Sequence, residues 1–226
     1  SRPDPGASRH PVRHPTRQLT RGPEDRPQEL LQAVLEVFAR NGYRNTTLDE
    51  IGEAAGVTKG TIYHYFETKE SLLLGVIEHY QRLAFARAEE AIRDGTLPAS
   101  TRIRLLVRNV FSDVEGRRDF IALLVRGVTH EIPRVHERWM QGPAHLWTLV
   151  ATLVDEGKVH GEFRADADGE VAARVLISGL MLQLMWQLHA RRIPAMAMNA
   201  DRLIDSSVEL FLRSLGSGRR RRSASE

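Results

Sequence analysis

The chain has 226 residues, 42% of them apolar, which is enough to bury a continuous core. It contains no cysteine, which excludes disulfides and thiolate metal sites and fits a reducing cytoplasm. The formal charge of +3 is uneven: residues 1–22 hold five Arg and one Asp, residues 216–226 hold four Arg and one Glu, and the rest nets −4. The basic character therefore belongs to the tails and not to a broad nucleic-acid-binding surface on the body.

Residues 1–22, with four Pro and almost nothing apolar, bury too little surface to offset ordering entropy and are expected to be a disordered basic tail, as are residues 216–226. The longest apolar run, Val175 to Trp186, is broken by Ser178 and Gln183 and falls well short of the ~20 residues a bilayer needs. No signal-peptide core is read in the sequence, so no membrane partner and a cytoplasmic location are expected.

Between the tails the periodicity is helical throughout, and an all-α fold is expected. Leu30, Leu31, Val34, Leu35 and Phe38 recur at three-to-four spacing before Asn41-Gly42 ends the helix. Short helices are expected over Thr47–Ala55 and Thr58–Phe66, then a long one from Thr68 to about Arg93, broken by Gly95 and Pro98. Further helices are expected over 99–115, 118–131, 134–155, 168–190 and 200–215, punctuated by Gly116, Pro133, Gly157, Gly161 and Pro194.

The informative segment runs from Arg44 to Glu70. Thr47 with Glu50 reads as a capping box, each side chain satisfying an orphan amide. Gly56 follows Ala55 where the chain reverses, a left-handed corner cheap only for glycine, and small Ala54 and Ala55 let two helices cross. After Thr58, Ile62 and Phe66 face inward with Val57 and Ile51, while Lys59 and Tyr63 share the opposite face with Gly60 and His64. That face suits a DNA major groove. Lys59 can bond phosphate or guanine, and Thr61 a base edge. Tyr63, His64 and Tyr65 offer donors, and an exposed helical Gly60 permits close backbone approach. The helix starts at Thr47 and Lys69 present free amides to phosphates.

This text resembles the TetR family of bacterial regulators: Phe38-Ala39, Asn41-Gly42-Tyr43, Thr46-Thr47, Ile51, Ala54-Ala55-Gly56-Val57, Lys59-Gly60-Thr61, Tyr63, Tyr65-Phe66 and Lys69-Glu70. The resemblance covers about residues 28–80. It implies a helix-turn-helix DNA-binding domain over 23–70 and a helical ligand-binding and dimerisation domain over 71–215. It further implies a homodimer that reads a palindromic double-stranded operator and, in most relatives, represses until a small-molecule effector releases it. The family's DNA contacts fall on Thr47, Lys59, Gly60, Thr61, Tyr63, Tyr65 and Lys69, and Tyr43 staples the first helix to the motif. Residues 23–70 carry five basic and nine acidic residues, less positive than a DNA binder is expected to be. Arg17 and Arg21, in an arm that can reach a minor groove, are expected to help.

In the body, Ile204, Val208, Phe211 and Leu215 form a stripe widened by Leu203 and Leu210. With Val175, Gly179, Leu180 and Gln183 of the preceding helix they are expected to form the dimer interface. Monomer core is the alternative. Phe111, Phe120, Trp139, Trp147, Met181 and Met185 are candidates for an apolar ligand pocket, against the alternative of plain core. Arg126 and His130 sit one turn apart and would meet an anionic headgroup, or else form a solvated face. His130, Glu131 and His136 have the wrong spacing for a two-His zinc helix, so no metal or cofactor is expected. No catalytic constellation is present, so a helical enzyme ranks below a regulator, and a constitutive DNA binder with a fully packed body is the closer rival.

Overall fold

A computed structural model describes residues 26–112, 117–125, 132–187 and 193–216. Arg17, Arg21, Arg126, His130 and both expected tails beyond Gly216 and before Arg26 lie outside the described residues. Nine α-helices and one 3-10 turn make up the described part: α1 (Arg26–Asn41), α2 (Leu48–Ala55), α3 (Lys59–Tyr65), α4 (Lys69–Ile92), α5 (Ala99–Phe111), α6 (Arg118–Val125), α7 (Pro133–Val159), α8 (Gly169–Gln187), the turn Pro194–Met196, and α9 (Ala200–Leu215). None of these helices is long and apolar enough to cross a membrane.

The helices pack around two hydrophobic cores. The first joins the apolar face of α1 to Ile51, Ala55 and Ile62 of α2 and α3, to Leu72, Leu73, Val76 and Ile77 of α4, and to Phe120, Leu123 and Leu124 of α6. The second joins Ala88 and Ala91 of α4 to α5, to Leu146, Val150 and Leu153 of α7, and to α8 and α9. α4 and α7 therefore each contribute their first turns to one core and their last turns to the other. The head core extends well past residue 70 and takes in α6, which the periodicity alone gave no reason to place there.

One helix start is completed from far away in sequence. Pro98 precedes α5 and offers no side-chain cap. Glu162, in the turn between α7 and α8, accepts from the amides of Ala99 (2.7 Å) and Ser100 (3.1 Å) and from the Ser100 hydroxyl (2.9 Å). Burial pushes the Glu162 carboxyl up, but the Ser100 and Ala99 amides and the Ser100 hydroxyl outweigh it and hold the group below the usual glutamate value. A depressed folded value gives stability that is present above the unfolded glutamate pKa and lost as pH falls through the folded one. Glu162→Gln should therefore destabilise the chain by about 1 kcal/mol at pH 7, the scale of a helix cap. Urea unfolding should show the gap between variant and parent narrowing as the pH falls below the ordinary glutamate value of about 4.3, and a gap that does not narrow on acidification would count against the cap.

Candidate nucleic-acid interface and effector cavity

The corner between α2 and α3 is built as its residues dictate. Thr47 accepts from the Glu50 amide at 3.3 Å and the Glu50 carboxylate accepts from the Thr47 amide at 2.7 Å, which closes the capping box. The Thr47 amide and the Thr47 hydroxyl, which donates to the same oxygen at 3.0 Å, hold the Glu50 carboxyl below its ordinary value. Gly56 sits at φ 66°, and the Val57 amide donates back to the Gly52 carbonyl at 2.9 Å. The close approach itself is made by Gly52, where a Cβ would lie 2.8 Å from the Val57 carbonyl oxygen. Ala55 is buried beside it, but Ala54 is exposed and does not lie between the helices as expected.

α3 buries Ile62 and turns its other side outward. Tyr63 is 49% and Tyr65 38% exposed, and Lys59, Gly60 and His64 are exposed beside them. His64 and Tyr65 meet edge to face at 5.0 Å. The Lys59 ammonium rests 3.2 Å from the Asp49 carboxylate, an exposed pair that contributes little to stability. Thr61 is half-buried, its hydroxyl 3.0 Å from that of the helix cap Thr58. A Cβ at Gly60 would meet nothing nearer than the Thr58 hydroxyl at 3.7 Å, so no contact within the chain requires glycine there.

Lys69 has a different place from the one expected. Its ammonium donates to the carbonyls of Tyr43 (2.9 Å), Thr46 (3.0 Å) and Arg44 (3.2 Å) and lies 4.6 Å from the Tyr43 ring centre. That side chain ties the α1–α2 turn to the start of α4 and is already committed, which leaves the helix start itself as what Lys69 presents outward. Tyr43 also packs edge to face on Phe38 at 5.3 Å, as a staple between α1 and the motif.

A cavity of about 110 Å³ lies where the two cores meet, walled by α4, α5, α6, α7 and α8. Phe111, Phe120, Trp139, Met181 and Met185 line it, joined by Tyr80, Gln81, Phe85 and Pro143, which the sequence reading did not single out. Tyr80 stacks on Phe120 at 4.4 Å, Phe120 meets Trp139 edge to face at 5.9 Å, and the Tyr80 hydroxyl donates to Gln32 of α1 at 3.1 Å. Trp147 does not line the cavity; it packs, half-buried, against the second core with the Arg174 guanidinium over its ring, 4.8 Å from the centre. Among the described residues no group of His, Asp and Glu is arranged to hold a metal.

Residues 30–76 match the profile of the bacterial regulatory proteins, tetR family. The chain is 31% identical over 154 residues to the transcriptional regulator AcuR of Cereibacter sphaeroides, covering 66% of this chain and 70% of that one. The chain belongs to the TetR family. It is 25% identical to the transcriptional repressor KstR2 of Rhodococcus jostii over 70% of this chain and 77% of that one. FadR of Bacillus subtilis, solved in complex with stearoyl-CoA, shares the fold with a TM-score of 0.71 at 22% identity, covering 83% of this chain and 98% of that one.

As a TetR-family protein the chain is a DNA-binding transcriptional regulator, and its exposed apolar residues gain meaning from that. Leu180, Ile204, Val208, Phe211 and Leu215, expected at a partner interface, are buried in the chain's own second core. The stripe on α9 is narrow enough to be consumed by α5 and α8 of the same protomer. Of the expected interface residues, Val175 (69% exposed), Gly179 and Gln183 face outward, and Val171, Leu182, Trp186 and Leu210 (70% exposed) join them. On α8 these positions recur every three or four residues and so share one face.

Gln81 and Pro143 had sequence signals. Gln81 falls in register with the buried Ile77 and the half-buried Ala84, where an apolar residue belongs, and Gly142-Pro143 interrupts a helical pattern that runs on past it.

Proposed function

We propose that the chain works as a homodimeric repressor that leaves a palindromic operator when a small, largely apolar effector fills the cavity at the junction of its two cores. The observation that carries this reading is the pairing of an outward α3 with an apolar cavity whose Tyr80 wall residue packs against the head core and bonds to Gln32 of α1. The DNA contacts are Lys59, Gly60, Thr61, Tyr63, His64 and Tyr65 on or beside α3, with the helix starts at Thr47 and Lys69 facing phosphates. Two copies meet through the outward faces of α8 and α9, led by Val175, Gly179, Leu182, Trp186 and Leu210. Residues 23–70 carry the DNA reading and 71–215 the effector binding and dimerisation, with α6 and the first turns of α4 and α7 packed into the core of the reading head. The stearoyl-CoA bound to the FadR relative supports an effector with a long apolar part.

The cavity is smaller than the roughly 300–1,000 Å³ of a drug-sized site, so an effector must part its walls. Selection of bound fragments from genomic DNA tests the first half of the reading. The expected product is a short palindrome whose half-sites lie about 34–36 Å apart; failure to enrich any fragment would end the proposal. Stearoyl-CoA and free fatty acids of graded length then test the second half by release of that fragment. Met181→Trp, which fills the cavity, should abolish release and leave DNA affinity within about twofold. A fragment bound equally with every such compound, in parent and variant alike, would point to a constitutive binder.

A further inference from the structure

The seam between the two cores crosses α4 and α7 at one level. On α4, Ile77 belongs to the head core and Ala84 packs against the body core, with Gln81 between them. On α7, Val135 and Trp139 pack with the head and Leu146 with the body, with Gly142 and Pro143 between. Both helices thus change allegiance within about one turn of the same point.

That point is chemically distinctive. Pro143 has no amide, so the carbonyl of Trp139, four residues earlier, has no helical donor. Gln81 supplies one across the seam: its side-chain amide donates to the Trp139 carbonyl at 2.9 Å and to the Arg138 carbonyl at 3.2 Å. The Gln81 oxygen accepts from Arg138 at 2.7 Å, and Arg138 also bonds Glu78 one turn earlier on α4 at 3.0 Å. Gly142 makes the room, since a Cβ there would stand 2.6 Å from the Gln81 nitrogen. Gln81 is 4% exposed and lines the cavity, so its side-chain amide is buried and lies where an effector would press.

We propose that Gln81 and Pro143 form a clasped hinge that fixes the angle of the DNA-reading head, and that Gln81 is a positioning residue for DNA binding although it lies on the seam and outside the α2–α3 reading corner. The moving unit is the head core as a whole: α1 to α3, the first turns of α4, α6, and the first turns of α7. A helix interrupted at Pro143 bends more readily there than elsewhere. The clasp removes that freedom by giving the stranded carbonyl a partner on the neighbouring helix. An effector that widens the cavity separates α4 from α7 and releases the hinge. This rests on the reading of α3 as the DNA-contacting helix.

The test combines a double-mutant cycle with a distance measurement. The chain has no cysteine of its own, so spin labels at Glu53→Cys in the head and Val159→Cys in the body report the head angle, with labelled chain diluted into unlabelled chain. Gln81→Leu should broaden the distance distribution and weaken binding to the selected fragment about tenfold. Pro143→Ala restores an amide at position 143 that can bond the Trp139 carbonyl along the helix. Alone it should change little; combined with Gln81→Leu it should return both distribution and affinity to within about twofold of the parent. Rescue of this kind is not expected from a merely packing role. Gly142→Ala pushes the Gln81 amide off its carbonyls from the other side and gives the same broadening should Gln81→Leu fail to fold. An unchanged distribution in these variants, or a double variant no better than Gln81→Leu, overturns the hinge. If no DNA fragment is ever selected, the regulator reading fails while the distance arm still decides the hinge.

Discussion

Gly60→Ala should make the protein more stable and a worse DNA binder. Within the chain nothing opposes the new methyl, whose nearest neighbour would be 3.7 Å away. Replacing a helical glycine by alanine then stabilises the fold by up to about 1 kcal/mol. On DNA the same methyl enters the gap between α3 and the groove wall, and an affinity loss of at least tenfold, about 1.4 kcal/mol, is expected. Calorimetric Tm and fluorescence anisotropy on the selected fragment read the two effects separately. Equal affinity for variant and parent would mean that the α3 backbone does not approach the duplex there.

Lys69→Met should behave in the opposite way from Lys59→Met, although both remove one positive charge from the head. The Lys69 ammonium serves three carbonyls of the α1–α2 turn. Hydrogen bonds to charged groups contribute about 1.5–3 kcal/mol each and are not additive here, since water replaces part of the loss, so a loss of about 3 kcal/mol in head stability is expected. Lys59 holds only the exposed Asp49 pair, so its removal should leave the unfolding midpoint almost unmoved. In a salt titration of DNA binding, Lys59→Met should lower the slope by about one per head. Lys69→Met should weaken binding with the slope intact, because it displaces the turn without removing a phosphate contact. A reduced slope in Lys69→Met would return that ammonium to the DNA face.

The head was legible because its signals are local. Thr47 with Glu50, Gly56 at the corner and Thr58 before α3 each act within four residues, so reading along the chain finds the caps and the turn that the fold displays. Side-chain destinations across long separations were not legible. Lys69 reaches carbonyls more than twenty residues away, and Glu162 caps a helix about sixty residues before it. A donor-rich residue at a helix start looks the same whether its partner is a phosphate or the protein's own backbone. In the body, periodicity marks which residues are apolar but not which neighbour covers them. Ile204, Val208 and Phe211 satisfied an interface reading and proved to be core, whereas Leu210, one residue from Phe211, faces outward. Five of the aromatic and methionine candidates do converge on one cavity, because large apolar side chains near a helix junction leave gaps between rigid rings.

The two-core division also bears on how this sensor can change over generations. The cavity wall is mixed in its duties: Tyr80, Phe120 and Trp139 hold the head together, whereas Phe111, Leu146 and Leu184 belong to the other core and Met181 packs against it. With the cavity as the effector site proposed above, mutations that retune chemical preference through the first three will cost the head's integrity and so its grip on the genome. Drift toward a new inducer is thus channelled to the far wall, where the flexible thioether of Met181 accepts new shapes at least cost. A laboratory effort to rewire the protein as a biosensor would randomise that wall and leave the aromatic trio alone.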